Sequence, residues 1–159
     1  MRRRSRITSS SRTSVVHLPV EDVRAVVASG RRGPQWYADA LPLVARGGID
    51  RLLGGGGRRW PAPDRELLEP GDRVAFWTVT RSTADELVLR AEVRAPGEVV
   101  LTTRLTPVDA RRTRVEQTVT LHPSGLLGAA YLVADLPARE AVIELTHRRL
   151  LRDLSSSSS

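Results

Sequence analysis

Few residues in this chain have the types and spacing that chemistry needs. Its three histidines, His17, His122 and His147, stand far apart. No pair has the four-residue helical spacing of a metal site and no third ligand stands beside them, so no metal is expected. Serines are abundant, but none sits between glycines in the strained turn of a nucleophile elbow. Gly54, Gly55, Gly56 and Gly57 run into Arg58 and Arg59, a combination able to cradle a phosphate. No strand precedes it and no Gly-Lys-Ser/Thr follows, so a flexible loop acting as a lid is the simpler reading. No catalytic residue and no cofactor is assigned.

A set of polar and aromatic side chains remains. Gln117 and Thr103 interrupt otherwise apolar alternations, and a polar group turned into a core costs roughly 1–3 kcal/mol unless something hydrogen-bonds it. A ligand or trapped water is one such partner, and a neighbouring backbone group is the other. Trp77 and Tyr131 are flat, amphipathic side chains suited to the wall of a small-molecule site and equally to plain packing. Trp36 stands in an irregular segment, where it either lines a cavity mouth or caps a sheet edge. The charges Arg90, Glu92, Arg94, Arg104, Arg114 and Glu116 alternate with apolar residues and read as a cross-strand ladder on a wet face. Were that face turned inward, Glu92 and Arg90 would be acid–base candidates.

Periodicity describes the elements that must position these residues. Residues 15–18 form a β-branched run that reads as a first strand. Pro19, Glu21 and Asp22 then start a helix in which Val23, Val26 and Val27 share a face and which Gly30 closes. Residues 31–70 are irregular, with one or two short helices expected around 38–53. Pro70-Gly71-Asp72 is a turn. Residues 73–80 are apolar in both alternating sets, as in a strand covered on both sides. Leu87, Leu89, Ala91 and Val93, then Val99, Leu101, Thr103 and Leu105, then Val115, Gln117, Val119 and Leu121 each line one face of a strand. Three successive strands thus share one dry face in an antiparallel meander.

A helical stretch over residues 126–153 follows, with Leu127, Tyr131, Ala134, Ala138, Val142 and Leu145 as the stripe able to lie on that face. Pro137 inside it predicts a kink or a break, and Arg148, Arg149 and Arg152 crowd the final turns, where cations suit the helix dipole. The expected fold class is α+β: a curved antiparallel sheet wrapped around a long, proline-kinked C-terminal helix.

Composition sets the limits. A chain of 159 residues, 40% of them hydrophobic, fits one domain. Without cysteine, disulfides and thiolate metal sites are excluded. The net charge of +7 invites a nucleic-acid reading, but Arg2, Arg3, Arg4, Arg6 and Arg12 all precede the first acid, Glu21, and the rest of the chain is close to neutral. Every basic residue is arginine, which a GC-rich bacterial genome explains more simply than function does. The expected organisation is a disordered basic arm over residues 1–13, a single domain over 14–154 and a disordered serine tail over 155–159. The arm has Arg3 and Arg4 but lacks the apolar run of a secretory signal. No apolar run approaches the ~18 residues of a membrane span, and a cytoplasmic location is expected.

The order Gly71-Asp72, Phe76-Trp77, Leu89-Arg90-Ala91-Glu92, Pro96-Gly97, Gln117-Thr118, Pro123, Gly125-Leu126, Gly128, Tyr131 and Pro137 resembles a bacterial family of the START-like, polyketide-cyclase-like (SRPBCC) superfamily of helix-grip folds. The resemblance covers roughly residues 36–152. Its members occur alone or fused to short-chain-dehydrogenase-like domains, so the resemblance also implies an oxidoreductase-type partner; no such domain stands within these residues. It implies a ligand cavity between sheet and helix but no reaction. Val99, Val100, Leu101, Thr102 and Thr103 stand where the family pattern turns aromatic and acidic, and Leu132, Val133 and Ala134 where more aromatics are expected, which implies a more aliphatic pocket.

The sequence therefore points to a small apolar ligand held between sheet and C-terminal helix, with Trp36, Trp77, Thr103, Gln117 and Tyr131 as binding residues. A cyclase- or dehydratase-like enzyme of the polyketide-tailoring kind is the alternative. A buried carboxylate or histidine with a shifted pKa favours the enzyme, and an all-apolar lining favours binding. No specific nucleic-acid contact is expected; association through the arginine arm is the third reading, and it requires residues 1–12.

Overall fold

In the computed structural model, which describes residues 8–39, 60–75, 77–92, 97–123 and 136–157, the alternating segments build one large antiparallel sheet. Strand β1 spans Thr8–Val16 and helix α1 spans Val20–Val27. The short strand β2, Ser29–Gly30, and the single turn of α2, Trp36–Asp39, follow. Strands β3, Arg65–Leu67, and β4, Arg73–Val74, lead to β5, Trp77–Ser82, and β6, Glu86–Glu92. The long strands β7, Gly97–Asp109, and β8, Arg112–Pro123, precede helix α3, Leu136–Ser156. The sheet runs β1-β8-β7-β6-β5-β4, and β2 pairs with β3 separately.

Register converts alternation into rows of side chains across the inner face. Leu89 lies opposite Leu101, Leu101 opposite Val119, and Val119 opposite Ser10. In the neighbouring row Leu87 faces Thr103, Thr103 faces Gln117, and Gln117 faces Arg12. The face is therefore apolar towards β6 and polar at β1. Leu87, Leu89, Ala91, Leu101, Leu105, Val115 and Val119 are buried and join Val23 and Val27 of α1 with Ile143, Leu150 and Leu154 of α3 in one core. Helix α3 lies on β1 and β8 and also touches α1 and α2.

Four local expectations change. Strand β1 begins at Thr8, so residues 8–13, expected in a disordered arm, are paired to β8 from Thr8 opposite Leu121 to Thr13 opposite Glu116. The expected strand over 73–80 is a hairpin: Val74 pairs with Trp77, and Ala75 between them has a φ of 52°, the left-handed conformation that two-residue hairpin loops demand. Both alternating sets are buried there because the chain reverses. The helix stripe is Ile143, Thr146, His147, Leu150 and Leu154, with Val142 and Leu145 only partly buried. Helix α3 is described from Leu136, with Pro137 as its second residue; the residues before it, where the expected kink or break falls, lie outside the described residues. The helix runs on to Ser156 with no basic residue in its last turn. Arg148 and Arg149 instead bond Glu144 and Asp153 at i,i+4 spacing. Residues 126–135 of the expected helix lie outside the described residues.

Candidate functional site

Two of the predicted residues meet in the core. Thr103 and Gln117 are opposite each other on β7 and β8, 1% and 0% exposed, and the Gln117 amide donates from Nε2 to Thr103 Oγ1 at 3.3 Å. The partner of Gln117 is neither of those expected from sequence. Its Oε1 lies 3.0 Å from Nδ1 of His147, a residue of α3 that is 5% exposed. Since Gln117 Nε2 faces Thr103, Oε1 is left to accept, which places a proton on His147 Nδ1. The neutral ring then presents Nε2 as an acceptor, and the hydroxyl of Ser14 on β1 sits 2.7 Å from it. One chain of hydrogen bonds thus links β7, β8, α3 and the edge strand β1.

Burial pushes the His147 imidazole below its ordinary 6.5; the charge of Glu144 raises it in part, and Arg12 adds to the lowering. Beside it, Arg12 donates through Nε to Glu144 at 2.7 Å and through Nη2 to Glu140 at 2.8 Å. Ser10 donates to Glu140 as well. The hydrogen bonds from Arg12 and Arg148 hold the Glu144 carboxyl below the usual 4.5, and those to Glu144 and Glu140 raise Arg12. The inner face of β1, Ser10, Arg12 and Ser14, is thereby matched to Glu140, Glu144 and His147 on α3.

Not every donor in the chain is used. An amide nitrogen carries two N–H groups and a hydroxyl one O–H. The second N–H of Gln117 and the Thr103 O–H have no partner among the described residues. The other predicted residues are Trp36, Trp77 and Tyr131. Trp36 is fully buried, with Nε1 donating to the Val27 carbonyl at 3.0 Å and its ring edge-on to Tyr37, so it stands in the core and not at a sheet edge. Trp77, also buried, donates from Nε1 to the Tyr37 carbonyl at 3.0 Å. Tyr131, like Gly54 to Arg59, lies outside the described residues.

The described charges of the ladder, Arg90, Arg104, Arg114 and Glu116, lie on the outer face, while Arg94 and the Glu92 side chain lie outside the described residues. Glu86 binds Arg81 at 2.9 Å and Arg104 at 3.0 Å, and Arg90 binds Glu98 at 2.7 Å, while Leu87, Leu89 and Ala91 point to the core. Burial pushes the Glu86 carboxyl up, but its two arginine hydrogen bonds outweigh burial and the net displacement is downward. The acid–base role conditional on an inward-turned Arg90 is thereby removed. Sequence reading passed over His147 and Ser14. A stripe phased on Leu150 and Leu154 instead of Val142 and Leu145 places His147 on the buried face; nothing local marks Ser14.

No group of three or more His, Cys, Asp or Glu side chains suited to a metal occurs among the described residues, and no helix among them is long and apolar enough to cross a membrane. The family described as "Protein of unknown function (DUF2867)" matches residues 5–145. The chain belongs to the DUF2867 family. No curated protein matches this DUF2867 chain. Among solved structures it is similar to the KanY protein, at 10% identity over 96% of this chain and 98% of that one, with a TM-score of 0.56. A protein from Nitrosospira multiformis is similar at 16% identity over 96% and 97%, with a TM-score of 0.51. The Zhui aromatase/cyclase from Streptomyces sp. R1128 is similar at 17% identity over 96% and 94%, with a TM-score of 0.47. At such identities the likeness to KanY and the Nitrosospira protein is one of fold, the large antiparallel sheet with a C-terminal helix.

Proposed function

We propose that this DUF2867 chain is a cytoplasmic binding domain for a small, mostly apolar molecule held between the sheet and α3. The observation that carries the proposal is the pair of unused donors, the second Gln117 N–H and the Thr103 O–H, buried where the inner face passes from the apolar side of β6 to the polar side of β1. Leaving such donors without an acceptor costs roughly 1–3 kcal/mol each, and an oxygen of a bound molecule removes that cost while the surrounding Leu, Val and Trp side chains accept its apolar part. The helix-grip resemblance along residues 71–137 supports the same reading, and Tyr131 belongs to the proposed lining through it. Native mass spectrometry of protein purified from its host tests the proposal. A co-purifying compound that is lost from Gln117→Leu and Thr103→Val variants supports it. A chain that is always empty, with thermal shifts towards candidate apolar compounds unaltered in both variants, rejects it.

One observation favours the second reading, a cyclase- or dehydratase-like enzyme. His147 is a buried imidazole whose pKa burial lowers, beside the same amide, and positioned bases of that kind contribute about 10²–10⁴-fold to a proton transfer. Turnover of the co-purifying compound by the native chain, lost in His147→Gln, separates this reading from binding alone.

A further inference from the structure

Both ring nitrogens of His147 are engaged. Nδ1 faces the Gln117 carbonyl oxygen at 3.0 Å, and Nε2 faces the Ser14 hydroxyl at 2.7 Å. Burial favours the neutral imidazole, its tautomer is set by an amide that is itself held by Thr103, and in that form the nearest proton it can take is that of Ser14. A hydroxyl on a base whose far nitrogen is oriented by a third group is the arrangement that turns serine into a nucleophile. Position supports access: Ser14 is half-buried on β1, which is an edge of the described sheet, whereas Thr103 and Gln117 are enclosed. Burial also keeps the imidazole in the basic form. The other charges near the ring cancel in large part, since Glu144 is held by Arg12 and Arg148, and Glu140 by Arg12.

We infer that Ser14 is an activated nucleophile and that the chain has acyl-transfer activity towards uncharged carboxylic esters or thioesters. Ser14 Oγ adds to the acyl carbonyl carbon while its proton passes to His147 Nε2. The bond from that carbon to the leaving oxygen or sulfur then breaks, and the leaving group takes the proton from His147. Water repeats the sequence on the acyl-serine: it adds to the carbonyl, gives its proton to His147, and Ser14 leaves with that proton. Nothing is oxidised or reduced. Gln117 is a positioning residue, since it acts through His147. This inference stands on the hydrogen bonds that join Ser14, His147 and Gln117 and does not require a guest at Gln117.

An alkyl fluorophosphonate reads the nucleophile without requiring turnover. Incubated with the full chain, it is expected to add one adduct, mapped by peptide mass spectrometry to Ser14 and not to Ser9 or Ser11 on the same strand. Labelling is expected to be abolished by Ser14→Ala and slowed at least about 100-fold by His147→Gln, the contribution of a positioned base. Ser14→Cys gives a second readout that survives if the histidine variant misfolds. Its thiol is expected to react with iodoacetamide well below pH 8.5, the range of a free cysteine. A Ser14 labelled no faster than Ser9 and Ser11, or a Ser14→Cys thiol that titrates like a free cysteine, overturns the inference. A co-purifying ligand seen alongside either result leaves the binding reading standing, so the two fail separately.

Discussion

At the scale of single residues, the buried amide of Gln117 decides the character of the interior. It accepts from His147 and donates to Thr103, so an apolar replacement orphans both neighbours in a place water does not reach. Gln117→Leu is expected to lower the unfolding free energy by about 1–3 kcal/mol, since two groups lose their partner at roughly 1–3 each while the unused Gln117 N–H is removed. Thr103→Val, which orphans one Gln117 N–H but also removes the unused Thr103 O–H, is expected to change stability by less than about 1 kcal/mol. Urea denaturation measures both, and a Gln117→Leu variant as stable as the parent contradicts the bond chain. His147 adds a dependence on pH whose sign follows from its lowered pKa. Between its folded value and the ordinary 6.5 the unfolded chain binds the proton and the folded chain does not, so its contribution is complete above 6.5 and is lost as pH falls through the folded value. Stability is expected to decline with acidification from about pH 6.5, and His147→Gln is expected to flatten that slope. The paired carboxylates Glu86 and Glu144 act in a separate window that opens only below their ordinary 4.5.

At the scale of elements, the pairing of β1 with α3 shows what a sequence hides. Strands β6, β7 and β8 were legible because each alternates against a shared apolar core, and a period of two is visible in isolation. Strand β1 has no such period: Ser10, Arg12 and Ser14 face inward, and their partners Glu140, Glu144 and His147 lie more than 120 residues away. An Arg/Ser-rich segment whose complement is that distant reads as an arm. Deleting residues 1–13 is therefore expected to strip most of β1 from β8, uncover the Gln117–His147 chain and lower the thermal midpoint sharply. Circular dichroism reports it, and an unchanged midpoint restores the disordered-arm reading. At the turn before β4, Gly71 has a φ of 95° with open space around it, so Gly71→Ala tests backbone conformation alone, with an expected cost of about 1–2 kcal/mol.

At the scale of the molecule, the helix-grip layout was legible while the phase of its helix was not. Val142 and Leu145 look as suitable for burial as Ile143, and the choice between stripes falls to His147 and Thr146, polar residues that a hydrophobic pattern discards. With Ile143, Leu150 and Leu154 inward, α3 shares its core with Leu87, Leu89 and Val115, so sheet and helix have no separate interiors and are expected to unfold as one unit. The tryptophans test this. Trp36 and Trp77 are buried in that core whereas Trp60 is 39% exposed, so fluorescence follows the interior while circular dichroism follows helix and sheet. Leu150, fully buried, is the lever: Leu150→Ala removes about three methyl-sized groups and leaves a cavity, a change expected to cost about 2–5 kcal/mol. Both signals are expected to shift to the same lower midpoint. A fluorescence transition that stays in place while the dichroism moves identifies α3 as an appendage to the sheet, and with it the shared core on which a site between sheet and helix depends is lost.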